Sequence, residues 1–198
     1  MPDQVIAKGG ESKFRPHSDG QHIAQCADTI DLGEAVVAFA MTPKKLVHKC
    51  ALVFRTGEQN PETGELIDIA AEFTVSMNEK ANLRKFLEAW RGKAYTTEEA
   101  EGGVPLHKLV GNWALLTIEQ KVSKNERRYA RIISAVGVPK PMRKDLPTFA
   151  PYERAEYWQE KKQLYRAAAL SFRAESGVDD DGEPLPDDTG FDDEDLPF

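Results

Sequence analysis

Histidine, aspartate and cysteine residues cluster near the N-terminus, where their types and spacing could bind a metal ion. The pattern is His17-x-Asp19-x2-His22-x3-Cys26. If this segment is extended, His22 and Cys26 lie roughly 13 Å apart at about 3.3 Å per residue. A zinc ion holds its ligands at about 2.0–2.3 Å, so these two residues cannot share one ion without a bend. We therefore interpret the segment as a buried thiol with loop histidines, and we expect no metal and no cofactor.

Residues that could support catalysis lack the partners that catalysis needs. Asp28 and Asp31 could hold a nuclease metal as paired carboxylates, but no second acidic cluster lies in reach of them. Cys50 lies in an apolar run that is typical of a core strand. The chain contains no Gly-x4-Gly-Lys-Ser/Thr loop for phosphates and no Gly-x-Gly-x2-Gly after a strand. We therefore expect no catalytic residues and no enzymatic activity.

Basic residues interleaved with aromatic residues indicate the binding of single-stranded nucleic acid. Cations would track the phosphates, and flat rings would stack on bases, each stack contributing about 1–3 kcal/mol. Tyr129 and Arg131 share a face of a predicted strand, and Trp113 on the preceding strand is expected nearby. These contacts barely discriminate DNA from RNA. The predicted DNA-binding residues are Lys44, Lys45, His48, Lys49, Arg55, Trp113, Lys121, Lys124, Arg127, Arg128, Tyr129 and Arg131.

Hydrophobic periodicity predicts the elements that position these residues. A helix follows the third strand, beginning at a capping box of Ser76 and Glu79 and ending at Gly92. Thr96 and Glu99 form a second capping box. Strands two and three would form a hairpin, and Gly33 would end the first strand. Strands are predicted at residues 22–32, 44–56, 66–75, 112–120 and 129–138, and a last helix at residues 153–174.

The order of three strands, a helix and two strands is that of a five-stranded Greek-key barrel of the oligonucleotide-binding (OB) type. We therefore expect a mainly β, α+β fold, an OB-fold with its helix between strands three and four. The predicted organisation is an irregular arm (1–21), an OB-fold domain (22–150), a helical extension (151–174) and a disordered acidic tail (175–198).

The charge of this 198-residue chain is divided unevenly. Residues 175–198 contain eleven acidic residues and no basic one, so the net charge of −7 conceals a body of about +4. A basic body with an acidic tail favours nucleic acid or a partner that recognises the tail. The longest apolar run, residues 35–41, is far shorter than the roughly 20 residues of a membrane span. With no recognisable secretory signal, we expect a cytoplasmic location, reduced thiols and no membrane partner.

The C-terminus places an acidic run before an apolar tip. An acidic run steers toward a basic partner, and a terminal ring with its carboxylate can fill a pocket beside an arginine. The last six residues, Asp193-Glu194-Asp195-Leu196-Pro197-Phe198, resemble the Asp-Asp-Asp-(Ile/Leu)-Pro-Phe end of bacterial and phage single-stranded DNA-binding proteins. Residues 73–92 are similar to a phage-encoded replication protein of this class, and the likeness extends over roughly residues 10–160. The predicted partner-binding residues are Asp192, Asp193, Glu194, Asp195, Leu196, Pro197 and Phe198.

The resemblance implies an OB barrel that binds and protects single-stranded DNA in phage DNA replication and recombination, inside a bacterial host cell. It also implies a tail that docks replication or repair proteins. We expect phosphates to follow a basic groove across strands two to five. The alternatives are a barrel-based DNA-processing enzyme such as a nuclease, and an acidic interaction protein that mimics DNA. The core is longer than the bacterial type and residues 153–174 have no counterpart there, so a bacterial-type tetramer is not implied and the oligomeric state stays open.

Overall fold

The computed structural model describes residues 15–38, 43–123 and 125–176. Five strands form one antiparallel sheet in the order β3-β2-β1-β4-β5. The strands are β1 (Gly20–Val37), β2 (Lys45–Arg55), β3 (Ile69–Thr74), β4 (Trp113–Val122) and β5 (Arg128–Gly137). The predicted mainly β, α+β class and the number of strands are confirmed.

Within the described ranges, three α-helices accompany the sheet: α1 (Asn82–Arg91), α2 (Thr97–Glu101) and α3 (Glu156–Ser176). Short 3-10 helices occur at Leu106–Leu109 and Lys140–Asp145. The helix α1 lies between β3 and β4 in the chain, which confirms the predicted order of three strands, a helix and two strands. Among the residues that the structure describes, no helix is long and apolar enough to cross a membrane.

The described residues fall into two compact units. The first contains the residues up to Asp31 together with Cys50–Arg154, and the second contains Leu32–Lys49 and the residues from Ala155 onward. The strands β1 and β2 contribute to both. Within the second unit, Leu32, Ala35, Trp158 and Ala169 are buried, and Arg173 Nη2 lies 2.7 Å from the carboxylate of Glu34.

The first unit has its core between α1 and one face of the sheet. Leu83, Leu87 and Trp90 form the buried stripe of α1, because residues spaced by three or four lie on one side of a helix. They pack in one cluster with alternate residues of the strands, such as Leu116 and Ile132. The edge strands β3 and β5 come within 8 Å of each other, measured between Cα atoms, although they are not paired in the sheet.

The predicted start of α1 is wrong, whereas its predicted end is confirmed. The N-cap is Ala81, with no side-chain hydrogen bond. Ser76 Oγ instead accepts from the backbone N–H of Asn78 at 3.2 Å, which makes a local turn before the helix. Such short-range hydrogen bonds compete with helix capping because the serine hydroxyl can bind a backbone N–H only two residues away. Gly92 ends α1 in the left-handed region, with φ of 72°.

The prediction that β1 ends at Gly33 is wrong, because the strand continues to Val37. Gly33 has φ of +74°, a conformation that lets a strand bend without stopping. The Thr96 and Glu99 capping box is confirmed at α2. Most of the predicted N-terminal arm and acidic tail, residues 1–14 and 177–198, lies outside the described residues.

Candidate nucleic-acid interface

The hairpin of β4 and β5 presents cations and an aromatic ring on one face. In its antiparallel register Lys121 lies opposite Tyr129, and Glu119 opposite Arg131. Opposite residues point to the same side of a sheet, and the neighbouring residue Ile132 is buried in the core. The two opposed pairs, Lys121–Tyr129 and Glu119–Arg131, therefore face outward, and Tyr129 is 41% exposed. The prediction that Tyr129 and Arg131 share a face is confirmed.

A tight turn joins the two strands and exposes two further arginines. The backbone N–H of Ser123 donates to the carbonyl of Arg127 at 2.8 Å, and that of Glu126 donates to the carbonyl of Ser123 at 3.0 Å. Glu126 has φ of +58°, as in hairpin loops that close with a left-handed residue. Lys124 lies outside the described residues. We call Lys121, Arg127, Arg128, Tyr129 and Arg131 the hairpin patch; Lys121 is half-buried and the other four residues are exposed.

Two acidic residues partly neutralise the positive charge of the hairpin patch. Lys121 Nζ lies 3.1 Å from Glu119 Oε2, and Glu126 sits in the turn itself. A solvent-exposed ion pair contributes only about 0–1 kcal/mol. A phosphate can therefore replace Glu119 as the partner of Lys121 at little cost in free energy.

An apolar strip continues the outward face beyond the hairpin patch. Ile23 of β1 lies opposite Leu115 of β4, which lies opposite Val136 of β5. Ile133 sits where the register shifts between Thr117 and Ile118, and it is 47% exposed. The sequence analysis missed this strip. Its signal was the alternation in β4, because placing Leu116 in the core sends Leu115 outward.

Trp113 is not close to Tyr129, so that expectation is wrong. It lies at the other end of β4, eight residues from Lys121, or roughly 26 Å at about 3.3 Å per residue. Its ring packs against Phe149, with centroids 5.5 Å apart. Its carbonyl accepts a 2.9 Å hydrogen bond from the indole of Trp90. The sequence placed Trp113 on the correct strand, but the expectation of a nearby ring overlooked the eight-residue separation of Trp113 from Lys121, which lies opposite Tyr129.

Arg55 is buried, and each of its three guanidinium nitrogens donates a hydrogen bond. Nε and Nη2 donate to the two carboxylate oxygens of Asp68, both at 2.9 Å. Nη1 donates to the carbonyl of Ala150 at 2.7 Å. These hydrogen bonds to Asp68 are the main reason that the pKa of Arg55 is raised. The side chain therefore ties two loops together, and we leave it out of the proposed interface.

Four predicted residues lie in the second unit, at the start of β2. Lys44, Lys45 and His48 are exposed and Lys49 is half-buried. Their side chains cover both faces of a strand end, as consecutive strand residues do. They form a basic segment of their own.

The residues considered for catalysis have structural partners. Arg154 binds both carboxylate oxygens of Asp28, at 2.7 and 2.9 Å. Cys26 and Cys50 are buried thiols that form no disulfide bond. Burial is the main cause that raises the pKa of Cys26 to about 12, so this thiol is protonated at neutral pH and is a poor nucleophile.

Comparisons with protein-family models, with curated proteins and with solved structures found no match to this chain. The functional argument therefore rests on the chain's own residues. The C-terminal tip, residues 192–198, lies outside the described residues, so its predicted role stays a prediction.

Proposed function

We propose that this protein binds single-stranded DNA without sequence preference and does no chemistry on it. The observation that carries the proposal is the hairpin patch, where the exposed ring of Tyr129 lies beside Lys121 on an outward sheet face. Cations that track phosphates and rings that stack on bases are the two components of such binding. The apolar strip beside the patch adds surface against which sugars and bases can pack.

The same proposal includes an OB-type, partly open barrel. Two observations support it: α1 lies between β3 and β4 in the chain, and the edge strands β3 and β5 approach each other. OB folds bind oligonucleotides with the loops that join strands one to two and four to five. The turn that joins β4 to β5 is the second of these loops, with Arg127 in the turn and Arg128 at the start of β5.

Two further parts of the chain support the proposal, each by its own residues. The basic segment Lys44, Lys45, His48 and Lys49 follows the β1–β2 connection, which is the other loop that OB folds use. The acidic tip at residues 192–198 offers a ring, a carboxylate and a steering charge to replication or repair proteins. In this proposal the body binds the strand and the tip recruits partners.

Fluorescence anisotropy with labelled oligonucleotides tests the proposal. Single-stranded DNA should bind more tightly than duplex, and log K should fall with log salt by about 0.7 for each phosphate contacted. Replacing Arg127 and Arg128 by Gln should make the slope shallower by up to about 1.4. The matched control replaces the exposed Lys80 and Lys85 by Gln, which removes equal charge far from the turn in sequence, and should leave the slope unchanged.

Three results would contradict the proposal. They are equal affinity for single strands and duplex, a slope that responds equally to both double variants, or tighter binding of RNA of the same sequence. The last would assign the patch to RNA. Release of labelled nucleotides when a divalent metal is added would favour a nuclease instead.

A further inference from the structure

Two histidines and a glutamate converge in the first unit. His17 precedes β1, His22 lies in β1 and Glu58 follows β2. One ligand atom from each lies within 4.8 Å of the other two. His17 Nδ1 and Glu58 Oε2 are 3.0 Å apart, and the two imidazole rings stand nearly perpendicular with centroids 4.6 Å apart.

This set of donors matches the chemistry of a zinc site. Zinc binds imidazole nitrogen and carboxylate oxygen at about 2.0–2.2 Å, so neighbouring donors of a tetrahedral ion are about 3.3 Å apart. His17 and Glu58 already have nearly this separation. His22 is half-buried, and its ligand atom lies within 4.8 Å of the other two, so its ring must shift toward them to bring the third donor into place.

The groups behind the three donors orient them as outer ligands of a metal site do. His17 Nε2 lies 2.6 Å from Thr56 Oγ1, and Nδ1 lies 3.1 Å from the carbonyl oxygen of Ser18. Nδ1 therefore binds a metal ion in the tautomer whose Nε2–H donates to the Thr56 hydroxyl. Ser18 donates to the Glu58 carboxylate from its backbone N–H at 3.0 Å and from Oγ at 2.6 Å.

We propose that His17, His22 and Glu58 bind one divalent transition-metal ion, zinc by its donor preference, with the fourth position left to water. The ion joins the segment before β1 to the loop after β2. Asp19 in that segment accepts a hydrogen bond from the backbone N–H of Gln120, the residue before Lys121 of the hairpin patch. The site therefore braces the hairpin near its turn, and its role is structural.

The sequence pattern offered His22 and Cys26 as ligands, but an extended strand holds these two side chains too far apart to bind one ion. The fold instead supplies Glu58 from a distant loop. The proposal does not depend on DNA binding, because its donors are separate from the hairpin patch.

Metal binding to the full chain, freed of metal with a chelator, tests the proposal. Titration calorimetry with zinc should show a single ion per chain, and cobalt should give the visible absorption bands of a low-symmetry nitrogen-containing site. His22→Ala and Glu58→Gln should each weaken zinc binding by about tenfold or more. His107→Ala, which removes an exposed histidine outside the cluster, should bind as the unaltered protein does.

His17 is left unaltered in this test because its buried ring also stabilises the fold. Circular dichroism shows whether each variant is folded before its binding is measured. The proposal is overturned if zinc does not saturate at a single ion, or if folded His22→Ala and Glu58→Gln bind it as tightly as His107→Ala. Strong near-ultraviolet thiolate bands with cobalt would also overturn it, because they would place the ion on a cysteine.

Discussion

Lys121 of β4 lies directly opposite Tyr129 of β5, so a cation and an exposed aromatic ring share one face of the hairpin. The residue between Tyr129 and Arg131, Ala130, packs against the core instead. This alternation fixes which side chains can meet a ligand. A shift of one residue would bury the ring and expose the core side chains.

Replacing Tyr129 with Ala should weaken binding of single-stranded DNA by about 1–3 kcal/mol if the ring stacks on a base. The melting temperature should hardly change, because the ring lies outside the core. Anisotropy titration and thermal unfolding measure the two effects. Tyr157→Ala, a similarly exposed tyrosine in α3, is the control. A Tyr129 variant that loses stability but keeps its DNA affinity would show that the ring is structural.

Replacing Glu126 with Gly should stabilise the protein by about 0.5–1 kcal/mol, because only glycine adopts a positive φ without a steric cost. It should also strengthen DNA binding, since it removes an acidic group from the turn that carries Arg127. The matched variant Glu126→Gln removes the charge but keeps the strained backbone. In urea unfolding, Glu126→Gly should be more stable than Glu126→Gln. In DNA titration, the two variants should bind with the same affinity. Equal stability of both would mean that the left-handed conformation costs nothing here.

Replacing Gly57 with Ala should destabilise the protein more than replacing Gly64 with Ala. Both glycines have a positive φ, but a Cβ on Gly57 would lie 2.9 Å from Phe149 Cε1, whereas nothing lies within 4 Å of one on Gly64. Strain alone costs about 1–2 kcal/mol, and overpacking adds about 1–3 kcal/mol. Urea unfolding of both variants gives the difference. Equal losses would show that the Phe149 ring moves aside freely.

Local patterns predicted what depends on neighbours in the chain. The shared face of Tyr129 and Arg131 followed from the alternation of side chains along a strand, and the end of α1 followed from Gly92. The capping box at Ser76 failed although it too is local, because a serine hydroxyl has more than one nearby backbone N–H to choose from.

Long-range pairing accounts for the other differences. Arg55 reads as a surface cation in a basic and aromatic stretch, and only the fold shows that Asp68 and the Ala150 carbonyl engage it. Glu58 joins His17 and His22 for the same reason. Spacing along a chain says nothing about which distant acid a loop will deliver, so such ion pairs and clusters need the structure.

Removing residues 177–198 should tighten DNA binding if the acidic tail competes with the strand for cations of the body. The truncation keeps α3 whole, removes ten acidic residues and no basic one, and changes the net charge from −7 to +3. The gain should be largest near 0.01 M salt, where the screening length is about 30 Å, and smaller at 0.1 M, where it is about 10 Å.

Phe198→Ala keeps the acidic side chains, so its DNA affinity should stay unchanged while capture of replication or repair proteins is lost. Anisotropy and a pull-down with the full chain, the truncation and the Phe198 variant measure both effects. Unaltered capture by Phe198→Ala would show that the terminal ring is not a docking group, and unaltered DNA affinity of the truncation would show that the tail does not compete.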